Sequence, residues 1–139
     1  MVIEILLPQF LSQTVALQQQ IVPYPIDLEK SAALCEAMQH QQDSCVLVAR
    51  EGNTIIGTVS GFCCRGLAGS FLAIEDLIVE GTHRGSGIGR QLMDAIHAYG
   101  RERGCQYAIL VSSGFRKQAH KFYEKIGYIE EVRGFRKEL

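Results

Sequence analysis

The sequence has no tryptophan and only three prolines, Pro8, Pro23 and Pro25. No stretch interleaves aromatic residues with a strong basic stripe, so the stacking platforms and phosphate-tracking faces of nucleic-acid-binding proteins are not expected. No apolar run approaches the roughly 18 residues of a membrane span, and Met1-Val2-Ile3-Glu4 places no basic flank before an apolar stretch. Neither a membrane partner nor a secretory signal is expected, which makes the cytoplasm the expected location. The five cysteines, Cys35, Cys45, Cys63, Cys64 and Cys105, form no C-x-x-C pair, and no histidine stands at ligand spacing. A disulfide framework and a metal site are therefore both disfavoured. Adjacent Cys63 and Cys64 would point to opposite faces of a strand, consistent with core filling. With no repeat and no low-complexity tract to mark a boundary, 139 residues fit a single domain, 1–139.

What is present is the composition of an ordinary folded domain, 47% apolar and 21% charged. The net charge of −1 conceals an asymmetry: residues 1–100 carry 5 Lys and Arg against 10 Asp and Glu, whereas residues 101–139 carry 9 against 5. An acidic body suits a cationic partner and a basic end suits an anionic one such as a phosphate-bearing cofactor, although solvated surface gives the same pattern.

The periodicity predicts a mixed α/β fold. After an apolar opening at Val2–Leu7, residues Phe10, Thr14, Leu17 and Ile21 recur at helical spacing. Asp27 is placed to cap a second helix with Leu28, Ala32, Cys35 and Met38 on one face. Two β-branched runs, Cys45–Arg50 and Thr54–Cys63, flank Glu51-Gly52-Asn53 and read as a hairpin. Arg65–Ser70 reads as a flexible loop, and Phe71–Val79, apolar on both faces, as a central strand. Ile88, Leu92, Ile96 and Tyr99 mark an amphipathic helix ending near Gly104. A buried strand is expected over Tyr107–Val111, and a helix with Ala119, Phe122, Tyr123 and Ile126 on its apolar stripe, closed by Gly127. Tyr128–Phe135 is expected to be the closing strand. Such an end strand can pair across a two-fold axis, so a homodimer is compatible with the sequence.

Chemistry concentrates in two places. The loop Arg84-Gly85-Ser86-Gly87-Ile88-Gly89 lies between a strand and a helix, where glycines admit close backbone approach and the first helical N–H groups point outward to bind phosphate oxygens. It is neither a P-loop, since no Gly-Lys-Ser/Thr follows, nor a Rossmann fingerprint, since the third glycine comes one residue early. A plain tight turn is the competing reading. Glu75 and Asp76, adjacent in a strand, would face opposite sides, and a carboxylate inside an apolar strand must be paired or solvated. One of them lining a cleft would have a raised pKa suited to a general base, while an ion pair with Arg84 or a lysine serves structure equally well. Tyr123, on its apolar stripe, reads by itself as a core aromatic.

Together these pieces resemble the GNAT superfamily of N-acetyltransferases over residues 44 to 130. The resemblance is carried by Ile74-Glu75-Asp76-Leu77-Ile78-Val79, by the glycine loop from Arg84 to Arg90, and by Ala119-His120-Lys121-Phe122-Tyr123-Glu124-Lys125-Ile126-Gly127-Tyr128 in the same order. It implies a mostly antiparallel sheet with helices on both faces, acetyl-CoA as donor, and an amine-bearing acceptor, a primary amine of a small molecule or peptide, attacking the thioester directly. The resemblance further implies that Arg84, Gly85, Ser86, Gly87, Ile88, Gly89 and Arg90 cradle the pyrophosphate. Leu77, Ile78 and Val79 would pair their backbone with the pantetheine arm. Tyr123 matches a tyrosine that protonates the leaving thiolate, and Glu75 a carboxylate that takes the amine proton directly or through water. Arg116 stands where members often carry an asparagine that contacts the arm, three residues before Ala119; with Lys117 it offers a cationic contact to a CoA phosphate instead. Residues 1–43, where such enzymes read their acceptor, show no motif. The rival reading, motivated by Arg116 and by that silence, is a non-catalytic acyl-CoA-binding regulatory module.

Overall fold

The computed structural model describes residues 1–112 and 116–139, which form two compact units, Met1–Ile109 and Leu110–Leu139. The first unit runs through β1 (Val2–Ile5), a 3-10 turn (Pro8–Phe10), α1 (Leu11–Gln18), α2 (Leu28–Gln39), β2 (Ser44–Glu51), β3 (Thr54–Gly66), β4 (Gly69–Val79), a second 3-10 turn (Gly81–His83) and α3 (Ile88–Glu102), and reaches β5 (Ala108–Leu110) at its end. The sheet order is β1-β2-β3-β4-β5, and the first four strands pair antiparallel with their sequence neighbours.

Local chemistry sets the helix ends. The Asp27 carboxylate accepts from the Lys30 N–H at 3.1 Å and caps α2. On α1 the expected stripe is buried at Phe10 and Leu17, and the Thr14 hydroxyl, also buried, donates to the Phe10 carbonyl at 2.9 Å. Leu6, Phe10, Leu17, Val48, Ile55 and Ile78 make one apolar cluster between α1 and the sheet. Of the expected α2 face only Met38 is buried; Cys35 is half-buried and Leu28 and Ala32 are exposed, because α2 leans on α1, the turn Pro8–Phe10 and the rim of β2.

Helix α3 sits unusually close to the sheet, and three glycines account for it. A Cβ on Gly57 would lie 2.9 Å from Leu92 Cδ1, one on Gly61 2.6 Å from Ile96 Cδ1, and one on Gly100 2.8 Å from Leu72 Cδ2. The missing side chains of Gly57 and Gly61 leave a furrow in β3 that receives Leu92 and Ile96, both fully buried, while Gly100 on α3 makes room for Leu72 of β4.

Several expectations need correction. The stretch Arg65–Ser70 is no flexible loop, since Arg65 pairs with Ser70 and Gly66 with Gly69, leaving only Leu67 and Ala68 as a tight turn. The strand expected over Tyr107–Val111 is confined to Ala108–Leu110 and is half-buried, with Tyr107 and Val111 exposed. In the second unit α4 (Lys117–Lys125) ends at Gly127, whose φ of +108° is a conformation glycine supplies readily. Residues Tyr128–Phe135 form no strand. Their leading donors turn back onto the helix end, Tyr128 N–H to the Tyr123 carbonyl at 3.0 Å and Ile129 N–H to the Gly127 carbonyl at 3.1 Å, so no ladder starts.

Candidate active site

The site is built on β4 and the start of α3. Ser60 pairs with Glu75 and Thr58 with Ile78, so Val59 alone faces two residues, Asp76 and Leu77: β4 carries a bulge. Asp76 has φ +57° and is the one non-glycine residue with positive φ among the described residues. Aspartate tolerates that conformation better than most side chains, which suits it to this position. The bulge interrupts the alternation that would send one of the two acids inward; both Glu75 and Asp76 are exposed. Enough protein surrounds them to weaken their hydration. This desolvation, and after it the neighbouring Asp76 charge, raises the Glu75 pKa, and desolvation raises that of Asp76. Each carboxylate therefore holds a proton more readily than it would in water. Beyond the bulge Ile78 is buried in the core while Leu77 and Val79 are half-buried, so at Ile78 only the backbone is available to a ligand.

The turn Gly81–His83 is locked by Glu80. Its Oε2 accepts from the Thr82 N–H at 2.9 Å, from the Thr82 hydroxyl, and from His83 Nδ1 at 3.0 Å. These hydrogen bonds, the two side-chain ones foremost, hold the Glu80 pKa down at about 2. Arg84 Nε donates to the Val79 carbonyl at 3.2 Å, and the Ser86 hydroxyl donates to the His83 carbonyl. Gly85 and Gly87 follow with φ +79° and +86°. A Cβ at either would meet no protein atom within 4 Å, so glycine is needed there for its backbone conformation and the space in front is open.

Gly87 caps α3, and the first bond of the helical ladder is Gln91 N–H to the Gly87 carbonyl at 3.1 Å. The N–H groups of Ile88, Gly89 and Arg90 are left over from that ladder, at the positive end of a 15-residue helix with no acid in its first turn. The Ile88 side chain is buried, so it offers only its amide. Arg84 and Arg90 are exposed beside the loop, Arg90 pairing with Asp94 at 3.5 Å. This arrangement of amides, open space and cations fits a phosphate-bearing cofactor. Among the described residues no group of three or more His, Cys, Asp or Glu side chains is arranged to hold a metal ion.

Arg116, Ala119 and Tyr123 lie on the second unit, Arg116 exposed immediately before α4 and Ala119 half-buried within it. Tyr123 is half-buried, its ring 5.4 Å from that of Phe122 and 6.0 Å, edge-on, from that of Tyr128. Burial, and after it the neighbouring Tyr123, pushes the Tyr128 hydroxyl well above the usual tyrosine range.

The profile of the acetyltransferase (GNAT) family matches residues 4–128. The chain belongs to that family. The uncharacterized N-acetyltransferase YhdJ of Bacillus subtilis is 34% identical over 115 residues, 81% of this chain and 80% of its own length. A glucosamine 6-phosphate N-acetyltransferase of Trypanosoma brucei brucei is 36% identical over 66 residues, which span 48% of this chain and 43% of the relative. Among solved structures, a putative acetyltransferase from Agrobacterium tumefaciens superposes with a TM-score of 0.88 at 22% identity, covering 100% of both chains. The glucosamine-6-phosphate N-acetyltransferase of Arabidopsis thaliana gives 0.86 at 22% identity, over 99% of this chain and 97% of its own. The expected mixed-sheet fold is the one observed. As a GNAT member the chain is an acetyl-CoA-dependent N-acetyltransferase.

Sequence reasoning about this acetyltransferase missed Glu80, His83 and Glu51, which brace the entry to the glycine loop. His83 directly before Arg84 was the available signal, but its partners emerge only once β2 and the turn Gly81–His83 are placed in space.

Proposed function

We propose that this acetyltransferase acts on a primary amine of a small molecule or peptide, with residues 1–139 working as one domain and Glu75 as general base. The observation that carries the reading is the continuity of β4 and α3, in which two partly dehydrated carboxylates at a bulge are followed within one strand, turn and loop by the glycine cradle. Bound acetyl-CoA supplies the activated acetyl thioester. The amides from Gly85 to Arg90 hold its pyrophosphate, with Arg84 alongside, and the backbone of Leu77, Ile78 and Val79 lines the arm. In this reading Arg116 with Lys117 would meet a CoA phosphate, and Ala119 would belong to the coenzyme-binding residues.

An alkylamine with a pKa near 10.4, the free lysine value, is almost wholly protonated at neutral pH and has no lone pair to attack with. The raised pKa of Glu75 suits its carboxylate to take that proton at Oε, directly or through water. Asp76 beside it adds negative charge that favours a cationic acceptor. The Tyr123 hydroxyl holds the proton that the departing sulfur takes up. Alignment of the reactants contributes on the order of 7–11 kcal/mol, and acid–base assistance roughly 10²–10⁴-fold. The reading includes a cytoplasmic location and a homodimer; exposed apolar residues of the C-terminal segment support the second, and the first is consistent with the lack, among the described residues, of any helix long and apolar enough to cross a membrane.

Calorimetric titration of acetyl-CoA into the wild type and into Gly87→Glu tests the cradle. Binding to the wild type that is lost in the variant, with the circular dichroism spectrum unchanged, is the expected result. Equal binding by both would move the coenzyme elsewhere. Coenzyme binding without acetyl transfer to any of a broad panel of amines would favour the regulatory module over the enzyme.

A further inference from the structure

We propose that His83 is a positioning residue whose protonation holds the phosphate cradle in shape and makes coenzyme affinity fall as pH rises. The inference rests on the coenzyme site proposed above. His83 stands between two carboxylates, Nδ1 3.0 Å from Glu80 Oε2 and Nε2 3.6 Å from Glu51 Oε2. Glu80 belongs to the turn that leads into the cradle, and Glu51 to the end of β2. Glu80 also accepts from the Thr82 N–H, and as a carboxylate it can only accept, so His83 Nδ1 is the donor in that pair. A neutral ring protonated at Nδ1 would turn the Nε2 lone pair toward the Glu51 carboxylate, whereas an imidazolium presents a proton to both acids. The surroundings thus favour the cation, and the His83 pKa is raised, first by the Glu80 hydrogen bond and then, against a smaller opposing desolvation, by the Glu51 and Glu80 charges. Arg84, next in the chain, directs its Nε to the Val79 carbonyl instead.

The link to the cradle is covalent and hydrogen-bonded. The His83 carbonyl accepts from the Ser86 hydroxyl, between the two left-handed glycines, so the position of the His83 backbone is transmitted to Gly85, Ser86 and Gly87. The charged ring ties this segment to the β2 end of the hairpin and adds one positive charge near an anion site. When the ring loses its proton, the attraction to Glu51 becomes a repulsion and that charge disappears. The protein is folded both free and bound, so the reference is the raised His83 value of the free protein: tight binding is present below it and is lost as pH rises through and above it.

The test is calorimetric binding of CoA to the full chain across the range from mildly acidic to mildly alkaline pH, for wild type, His83→Gln and Glu51→Gln. The CoA 3′-phosphate has its own second ionisation near pH 6, so the series is repeated with CoA lacking that phosphate. Wild-type affinity is expected to fall by roughly three- to tenfold across the histidine titration, the size of one screened charge interaction. His83→Gln should lose that step, and Glu51→Gln, altered at an exposed carboxylate, should move it to lower pH. In parallel, NMR titration of the His83 ring should show an elevated pKa in the wild type that drops in Glu51→Gln. Wild-type and His83→Gln profiles that run parallel, even at lower overall affinity, would reduce His83 to a structural residue and overturn the inference alone. Absence of CoA binding by the wild type at every pH would overturn the coenzyme site and this inference together.

Discussion

Asp76 and Glu75 show how much one backbone angle decides. In a regular strand one of the two would point at the core and would need a partner; at the bulge both reach the surface, where the surrounding protein still weakens their hydration enough to raise both pKa values. For Glu75 acting as base, the rate should fall as pH drops below its raised pKa, because the protonated acid cannot accept. Glu75→Gln is expected to lower kcat/KM by roughly 10²-fold and to abolish that acidic limb, whereas Tyr123→Phe should lower kcat about tenfold or more with acetyl-CoA binding nearly intact. Steady-state pH profiles of the two variants check both roles, and unchanged turnover in either removes that residue from the mechanism. Stability should move the other way for Glu75. A carboxyl whose pKa is raised on folding stabilises the native state at low pH and loses that contribution as pH rises through the raised value, so Glu75→Gln should melt no lower than wild type at neutral pH.

At the scale of elements, the furrow under α3 governs the proposed cradle, because the helix whose first amides would form it is the one seated on Gly57 and Gly61. Gly61→Val places atoms where Ile96 Cδ1 and Cγ1 already sit, 2.6 and 2.8 Å from the new Cβ. It should cost about 1–3 kcal/mol in urea unfolding and weaken coenzyme binding as α3 lifts. Gly81→Ala, whose Cβ meets nothing within 4 Å, should stay within about 0.5 kcal/mol of wild type; equal losses in the two variants would refute the furrow. The helices and their ends were legible in the sequence because their causes are local: the stripe of α3, the Asp27 cap and Gly127 all act within a few residues. The bulge was not legible, since its extra residue is defined only against Val59 on β3. Gly57 and Gly61 did carry a signal, as isolated glycines in a β-branched run mark close approach, yet Leu92 and Ile96, which approach them, lie more than thirty residues further on. The glycine loop and Glu75 could be picked out together because their order along the chain matched a family pattern, and the fold then supplied the braces around them.

For the whole molecule, the C-terminal segment poses the question of assembly. Ile129 is 87% and Phe135 91% exposed, and Val132 and Leu139 are exposed as well. The expected end strand is absent, so the support for a second copy is this exposed apolar content alone. Analytical ultracentrifugation at micromolar concentration should give about twice the 15.4 kDa chain mass. Ile129→Glu and Phe135→Glu should sediment as single chains with unchanged circular dichroism. A wild type that stays at the mass of one chain would exclude the homodimer.

The bend at Asp76 also separates shape from charge. A left-handed residue at that point is satisfied by aspartate, asparagine or glycine, and these three are connected by single-nucleotide changes of the aspartate codon. Replacing Asp76 by either of the other two removes one negative charge beside Glu75 and leaves the strand bent. The proposed preference for cationic over neutral acceptors is therefore open to drift at one position, without any need to rebuild the sheet or the proposed coenzyme cradle behind it.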